Sequence, residues 1–167
     1  MPIKPLKLNL TDITVSIFPF FQPKDFFSAE EQRNIIDAIK NAEQQTSGEI
    51  RVYVEGRCKY IDPIDRAAEL FFGLKMDATE HRNGTLVYLA YKDHQIAVFG
   101  DDGIHKKVGT DFWKSALSNL REHFLETHYA EGLVIVIQKI GEALRDHFPY
   151  ERTTDKNELP DDIVFGR

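Results

Sequence analysis

Four polar side chains from separate stretches of the 167-residue chain, Glu49, Asn83, Asp101 and Asp102, have the chemistry to share a cation if the fold brings them together. Gathered carboxylates repel unless positive charge sits between them, and hard oxygen donors with an amide suit calcium or magnesium. A divalent cation of that type is therefore the expected cofactor. The order of acids does not match an EF-hand loop, so the metal reading rests on convergence. A competing reading stays open, in which Asp101-Asp102 makes a polar turn and Glu49 pairs with Arg82. His105 is near enough to the aspartates for general acid–base work, although a lone loop histidine is ordinarily only solvent-exposed. The segment Gly100-Asp-Asp-Gly-Ile-His-Lys-Lys-Val-Gly109 lacks a phosphate-cradling loop, and its aspartates would repel phosphate without a bridging cation.

The elements that must position these residues begin with two β-rich runs, Gly84 to Ala90 and Gln95 to Phe99, joined by a short polar turn. If Lys92-Asp93-His94 is a three-residue turn, Tyr91 faces Gln95 and the ladder puts Thr85 opposite Asp101. Arg82-Asn83-Gly84 and Gly100-Asp101-Asp102 then lie at one end of the hairpin. Residues 49–55 alternate, with Ile50, Val52 and Val54 on one face and Arg51, Tyr53 and Glu55 on a wetter one. A helix follows before the hairpin, and such crossovers join parallel strands, so Glu49 belongs at the same end.

Ser28-Ala-Glu-Glu31 has the spacing of a capping box and predicts a helix over about 28–46 with Ile35, Ile36, Ile39 and Ala42 inward. Asp62-Pro63 starts a second helix, with a capping carboxylate ahead of a proline at the first helical position. Thr110 is placed to cap a third, carrying Trp113, Ala116, Leu117, Leu120 and Phe124. Leu133-Val-Ile-Val-Ile137 is β-branched, but Leu133, Ile137, Ile140 and Leu144 keep a helical period for three turns, which favours helix. Residues 1–25 hold Pro2, Pro5, Pro19 and Pro23 and read as an extended arm. Its Phe18, Phe20 and Phe21 either strap onto the domain or meet a protein partner. Residues 149–167 lack a periodic apolar face and predict a flexible tail.

The composition bounds the function. A formal charge of −6 and the absence of a basic face argue against nucleic acid. Val15 to Phe21 is far shorter than the roughly 20 apolar residues needed to cross a bilayer, and no secretory signal is evident, so a cytoplasmic location is expected. Cys58 is the only cysteine, with no CxxC partner, and reads as an incidental thiol. His123 and His128 are five apart, about 140° around a helix, so they cannot share the single face a zinc pair needs and read as surface histidines.

Phe26 to Glu31, Thr46-Ser-Gly-Glu-Ile-Arg-Val52, Arg82-Asn-Gly-Thr-Leu-Val-Tyr-Leu-Ala90 and Gly100 to Trp113 resemble, in order and spacing, the TPM domain family over about residues 25–148. The resemblance implies a three-layer α/β/α sandwich with a small mixed sheet and about four helices, flanked here by the arm 1–25 and the tail 149–167. It also implies a divalent-metal site, acid phosphatase activity in some members, and links to membrane-protein maintenance in others. Two classes of function follow. In one, Glu49, Asn83, Asp101 and Asp102 hold a cation in a metal-dependent phosphatase, with Arg82 or His105 assisting the leaving group. In the other, favoured because no nucleophile motif is visible, the domain binds a calcium-type cation without catalysis and recruits a protein partner.

Overall fold

The computed structural model describes residues 6–7, 22–118, 120–125, 128–153 and 155–166. Its elements are β1 (Leu6–Lys7), α1 (Ala29–Glu43), β2 (Glu49–Glu55), α2 (Pro63–Gly73), β3 (Gly84–Ala90), β4 (Gln95–Gly100), α3 (Asp102–Ser118), α4 (Leu120–Leu125), α5 (Tyr129–His147) and β5 (Ile163–Phe165). The expected straps Phe18, Phe20 and Phe21 lie outside the described residues.

Two of the three predicted helix starts form. Ser28 Oγ accepts from the Glu31 amide while Glu31 returns a bond to the Ser28 amide, so a reciprocal box satisfies the start of α1. Asp62 accepts from the Ile64 amide at 3.0 Å, with Pro63 opening α2. The ambiguous run at 133–137 is helix: Leu133, Ile137, Ile140 and Leu144 of α5 are fully buried.

The sheet order is β1-β4-β3-β2-β5. β2 and β3 are parallel through α2, β3 and β4 form the antiparallel hairpin, and the sheet is mixed as expected. The helices α1, α3 and α5 cover the face that carries Ile50, Val52 and Val54, while α2 covers β3 and β4 on the other face. The result is a three-layer α/β/α sandwich. No helix among the described residues is long and apolar enough to cross a membrane.

Three expectations change. The hairpin loop has four residues, Tyr91–His94, because Ala90 rather than Tyr91 faces Gln95, and Thr85 therefore faces Gly100 rather than Asp101. His94 takes a left-handed conformation, φ 50°, and the Tyr91 and Lys92 amides donate to the Glu55 and Gly56 carbonyls, so the loop is tied to β2 as well. The third helix starts at Asp102, about two turns before Thr110, and kinks at Gly109, whose φ of 74° only glycine adopts without strain.

The largest change concerns the tail. Residues 163–165 add a parallel strand beside β2, pairing Val52 with Ile163 and Val54 with Phe165. Arg51 bonds Asp162 at 2.7 Å, Glu158 donates its amide to Glu49, and Gly166 packs so closely on the Tyr53 ring that a Cβ there would collide with it. These contacts bury Glu49, Arg51, Tyr53 and Glu55, the face expected to be wet. The tail lacks an apolar stripe because the surface it covers is polar.

Truncation after residue 157 should lower the melting temperature by roughly 5–10 °C. Lost strand pairing and a stranded Arg51 cost a few kcal/mol, and a chain of this size shifts about 2–4 °C per kcal/mol. An unchanged thermal melt would show that β5 adds nothing to the fold.

Candidate functional site

The predicted site residues do converge on one end of the sheet, but they divide into two clusters. β2 and β3 start in register, Glu49 beside Gly84, and the Asp101 amide donates to the Gly84 carbonyl at 2.9 Å. Asp101 is buried, and its carboxylate is taken: Arg82 Nε and Nη2 donate to its two oxygens at 2.7 and 2.9 Å, and the Asp102 amide adds a third bond. This fork-to-fork pair is the strong geometry for a guanidinium and a carboxylate. Asp102 is exposed and bonds Lys106 one helical turn on, which holds its carboxyl below the usual range. Asn83 is fully buried. Its amide nitrogen donates to Ser47 at 3.2 Å and its oxygen has no protein partner.

Arg82 explains why this corner is tight. It is left-handed at φ 51°, and its carbonyl accepts from both Gly103 and Ile104. A Cβ on Gly103 would collide with the His81 and Arg82 carbonyls, so only glycine permits the approach. Of the two expected catalytic helpers, Arg82 thus clamps β3 to α3. His105 lies in α3 rather than a loop, and its Nδ1 accepts from the Trp113 indole at 3.1 Å.

Glu49 belongs to the second cluster. Its side chain shares the face of Arg51 and Glu55 and meets Glu43 of α1 and Asp161 of the C-terminal segment, with ligand oxygens all within 4.8 Å of one another. Among the described residues, the carboxylates of Asp101 and Asp102 join no such group with Glu49. Glu49 is 3% exposed; one oxygen accepts from the Glu158 amide at 2.8 Å, and Oε2 has no partner. Burial, with Glu158 and Asp161 nearby, raises its carboxyl to about 7. Glu43 accepts from the Ile50 amide, and burial together with a side-chain hydrogen bond to Asp161 raises it to about 10. These groups line an open cavity of about 390 Å³ with Lys40 and Lys156. Neither lysine forms an ion pair with the carboxylates among the described residues.

Sequence reasoning found Glu49 but missed its neighbours. Glu43 sits at the end of a helix read for its apolar stripe, and Asp161 in a tail read as free. The other charged residues of β2 have opposite charges beside them, Arg51 through its Nη2 to Asp162 although its Nε makes no hydrogen bond among the described residues. Glu55 receives Arg66 Nε at 3.0 Å, Arg66 Nη2 at 3.1 Å and the Tyr88 hydroxyl at 2.7 Å. Cys58 donates to the Ile61 carbonyl, and burial pushes its thiol up, away from a reactive thiolate.

The raised carboxyls fix a sign. A carboxyl whose folded value exceeds its unfolded one stabilises the fold fully below the unfolded value, 4.5 here, and loses that contribution as pH rises through about 7 for Glu49. In chelator, Glu49→Gln should therefore gain stability relative to the unmodified protein between pH 5 and pH 8. Thermal melts across that range check it; a difference independent of pH would mean that Glu49 titrates normally.

The TPM domain family model matches residues 20–143. The BA42 protein from the psychrophilic bacterium Bizionia argentinensis, solved by NMR, is 42% identical over 84% of this chain and 96% of its own, with a TM-score of 0.78. The N-terminal domain of the cg2496 protein from Corynebacterium glutamicum, also solved by NMR, shares the fold at 14% identity and a TM-score of 0.57 over 90% of this chain and 97% of its own. No curated protein is a significant match. With the greater part of the chain matched, and with the α/β/α sandwich in place, this protein belongs to the TPM domain family.

Proposed function

We propose that the chain is a module that binds a calcium-type divalent cation, and that Glu43, Glu49 and Asp161 are its acidic ligands. The observation that carries this reading is the buried Glu49 Oε2, which makes no hydrogen bond among the described residues while two further carboxyls converge on the same cavity. A buried carboxylate without a counter-charge is costly, and protonation offsets that cost until the pH passes the raised values, about 7 for Glu49 and about 10 for Glu43. A hard cation would offset it in place of the protons. The cavity is roomy enough for water to complete the six to eight oxygen ligands calcium takes. Asn83 bonds Ser47 just before β2, while Asp101 joins the start of α3 to Arg82 at the neighbouring corner.

Catalysis of phosphate-ester hydrolysis would need the same cation plus a group assisting the leaving oxygen. Arg82 and His105, the residues expected in that role, are engaged with Asp101 and Trp113. The binding reading needs no such group. A protein partner met by Phe18, Phe20 and Phe21 of the N-terminal arm, and a link to membrane-protein maintenance that rests on the family, are parts of the same proposal.

Calcium should raise the melting temperature, because a ligand bound only by the folded state stabilises it by about 2.7 kcal/mol at a hundred times its Kd. Glu49→Gln should abolish the calcium shift. Asp101→Asn should cost about 1–3 kcal/mol equally with calcium and with chelator, by loosening the Arg82 clamp. Loss of the calcium shift in Asp101→Asn but not in Glu49→Gln would move the site to the hairpin corner. Calcium- or magnesium-dependent turnover of a phosphate monoester, abolished by Glu49→Gln, would make the site catalytic.

A further inference from the structure

A second metal-ligating cluster lies at the junction of α4 and α5, built from His123, His128 and Glu131. On one continuous helix the two histidines would point about 140° apart. His128 instead stands outside a helix, at φ −88° and ψ 57°, as the residue before α5, so the two histidines are not on one continuous helix. The break is fixed: the His128 amide donates to the His123 carbonyl at 2.8 Å. Glu131, in the first turn of α5, is three residues from His128 and on its face. Its Oε2 lies 3.8 Å from His128 Nδ1 and 4.0 Å from His123 Nδ1, and one ligand atom from each residue falls within 4.8 Å of the others.

The geometry points to a transition-metal site, of the zinc type, with His123, His128 and Glu131 as its three protein ligands. Tetrahedral zinc bonded at about 2.0–2.1 Å places its ligand atoms roughly 3.4 Å apart. Closing the present triangle to that size takes small side-chain rotations, which partly exposed residues are free to make. The side chains of His123, His128 and Glu131 are 31%, 52% and 70% exposed. Two imidazoles and one carboxylate leave the fourth position to water, the pattern of an open rather than a closed zinc site. The donor set also separates this site from the acidic cavity. Imidazole nitrogen selects zinc, cobalt, nickel or copper, whereas the oxygen set of Glu43, Glu49 and Asp161 selects calcium or magnesium.

The test is Co²⁺ titration of the full chain without an affinity tag, followed by its visible absorption and by calorimetry in excess calcium. Cobalt at an N,N,O site with low coordination gives an intense spectrum, and calcium should not displace it. The expected result is one Co²⁺ per chain that zinc displaces, retained in Glu49→Gln and in Cys58→Ser. His128→Ala and Glu131→Gln, both at exposed positions, should each weaken binding at least tenfold while leaving the calcium-induced melting shift intact. An unchanged Co²⁺ affinity in both His128→Ala and Glu131→Gln overturns the assignment, as does the absence of a saturable Co²⁺ site. In those cases Glu131 serves only as the acid that favours a helix start beside two histidines.

Discussion

Strand β2 is buried along its whole length, yet it carries charge at alternate positions, and the structure around it is arranged to answer that charge. An ion inside a protein is tolerated only when a partner of opposite charge and enough hydrogen bonds replace the water it gave up. Glu55, at one end, receives the Arg66 guanidinium and the Tyr88 hydroxyl, which fixes α2 against the sheet. Arg51, in the middle, draws in Asp162 and with it the strand β5. Glu49, at the other end, meets two acids and the backbone amides of the C-terminal segment, and its Oε2 makes no hydrogen bond among the described residues. The same constraint that assembles two layers of the sandwich thus leaves one carboxylate without a cationic partner among the described residues.

That division separates two kinds of polar cluster only a few residues apart. At the hairpin corner, Arg82 satisfies Asp101 bidentately and its carbonyl receives the first amides of α3, so charge there serves to join strand to helix. At the edge of β2, three carboxyls share a cavity, and burial raises those of Glu43 and Glu49 above the usual carboxylate range. The first arrangement is complete, whereas the second is balanced only by protonation or by a cation. The proximity of the two explains why residues from both were grouped on sequence grounds.

The fold was legible in the sequence wherever a pattern is local. Ser28–Glu31 and Asp62–Pro63 are capping signals whose partners lie within three residues, and the period of Leu133, Ile137, Ile140 and Leu144 reports a face buried over three turns. The parallel crossover from β2 to β3 likewise followed from a topological rule. What was not legible depends on contacts made far along the chain. Nothing near Asp161 marks it as a neighbour of Glu43, and a tail that docks through Asp162, a backbone ladder and a Gly166–Tyr53 contact carries no apolar stripe to betray it. The hairpin slipped by one residue because loop length, which sets register, was read from residue type alone. The histidine pair was missed for a related reason, since the break between α4 and α5 changes which residues share a face.

The central claim is that Glu49 and its acidic neighbours, rather than the aspartates after β4, take up the cation. Manganese, a paramagnetic hard cation that competes for oxygen ligands, tests it most directly by broadening NMR signals around its site in the ¹⁵N-labelled chain. Selective loss of the amide signals of Glu43, Glu49, Ile50, Glu158 and Asp161 at substoichiometric manganese, reversed by calcium, is the predicted result. Broadening centred on Asn83, Asp101 and Asp102, or no calcium-reversible broadening at all, would contradict it.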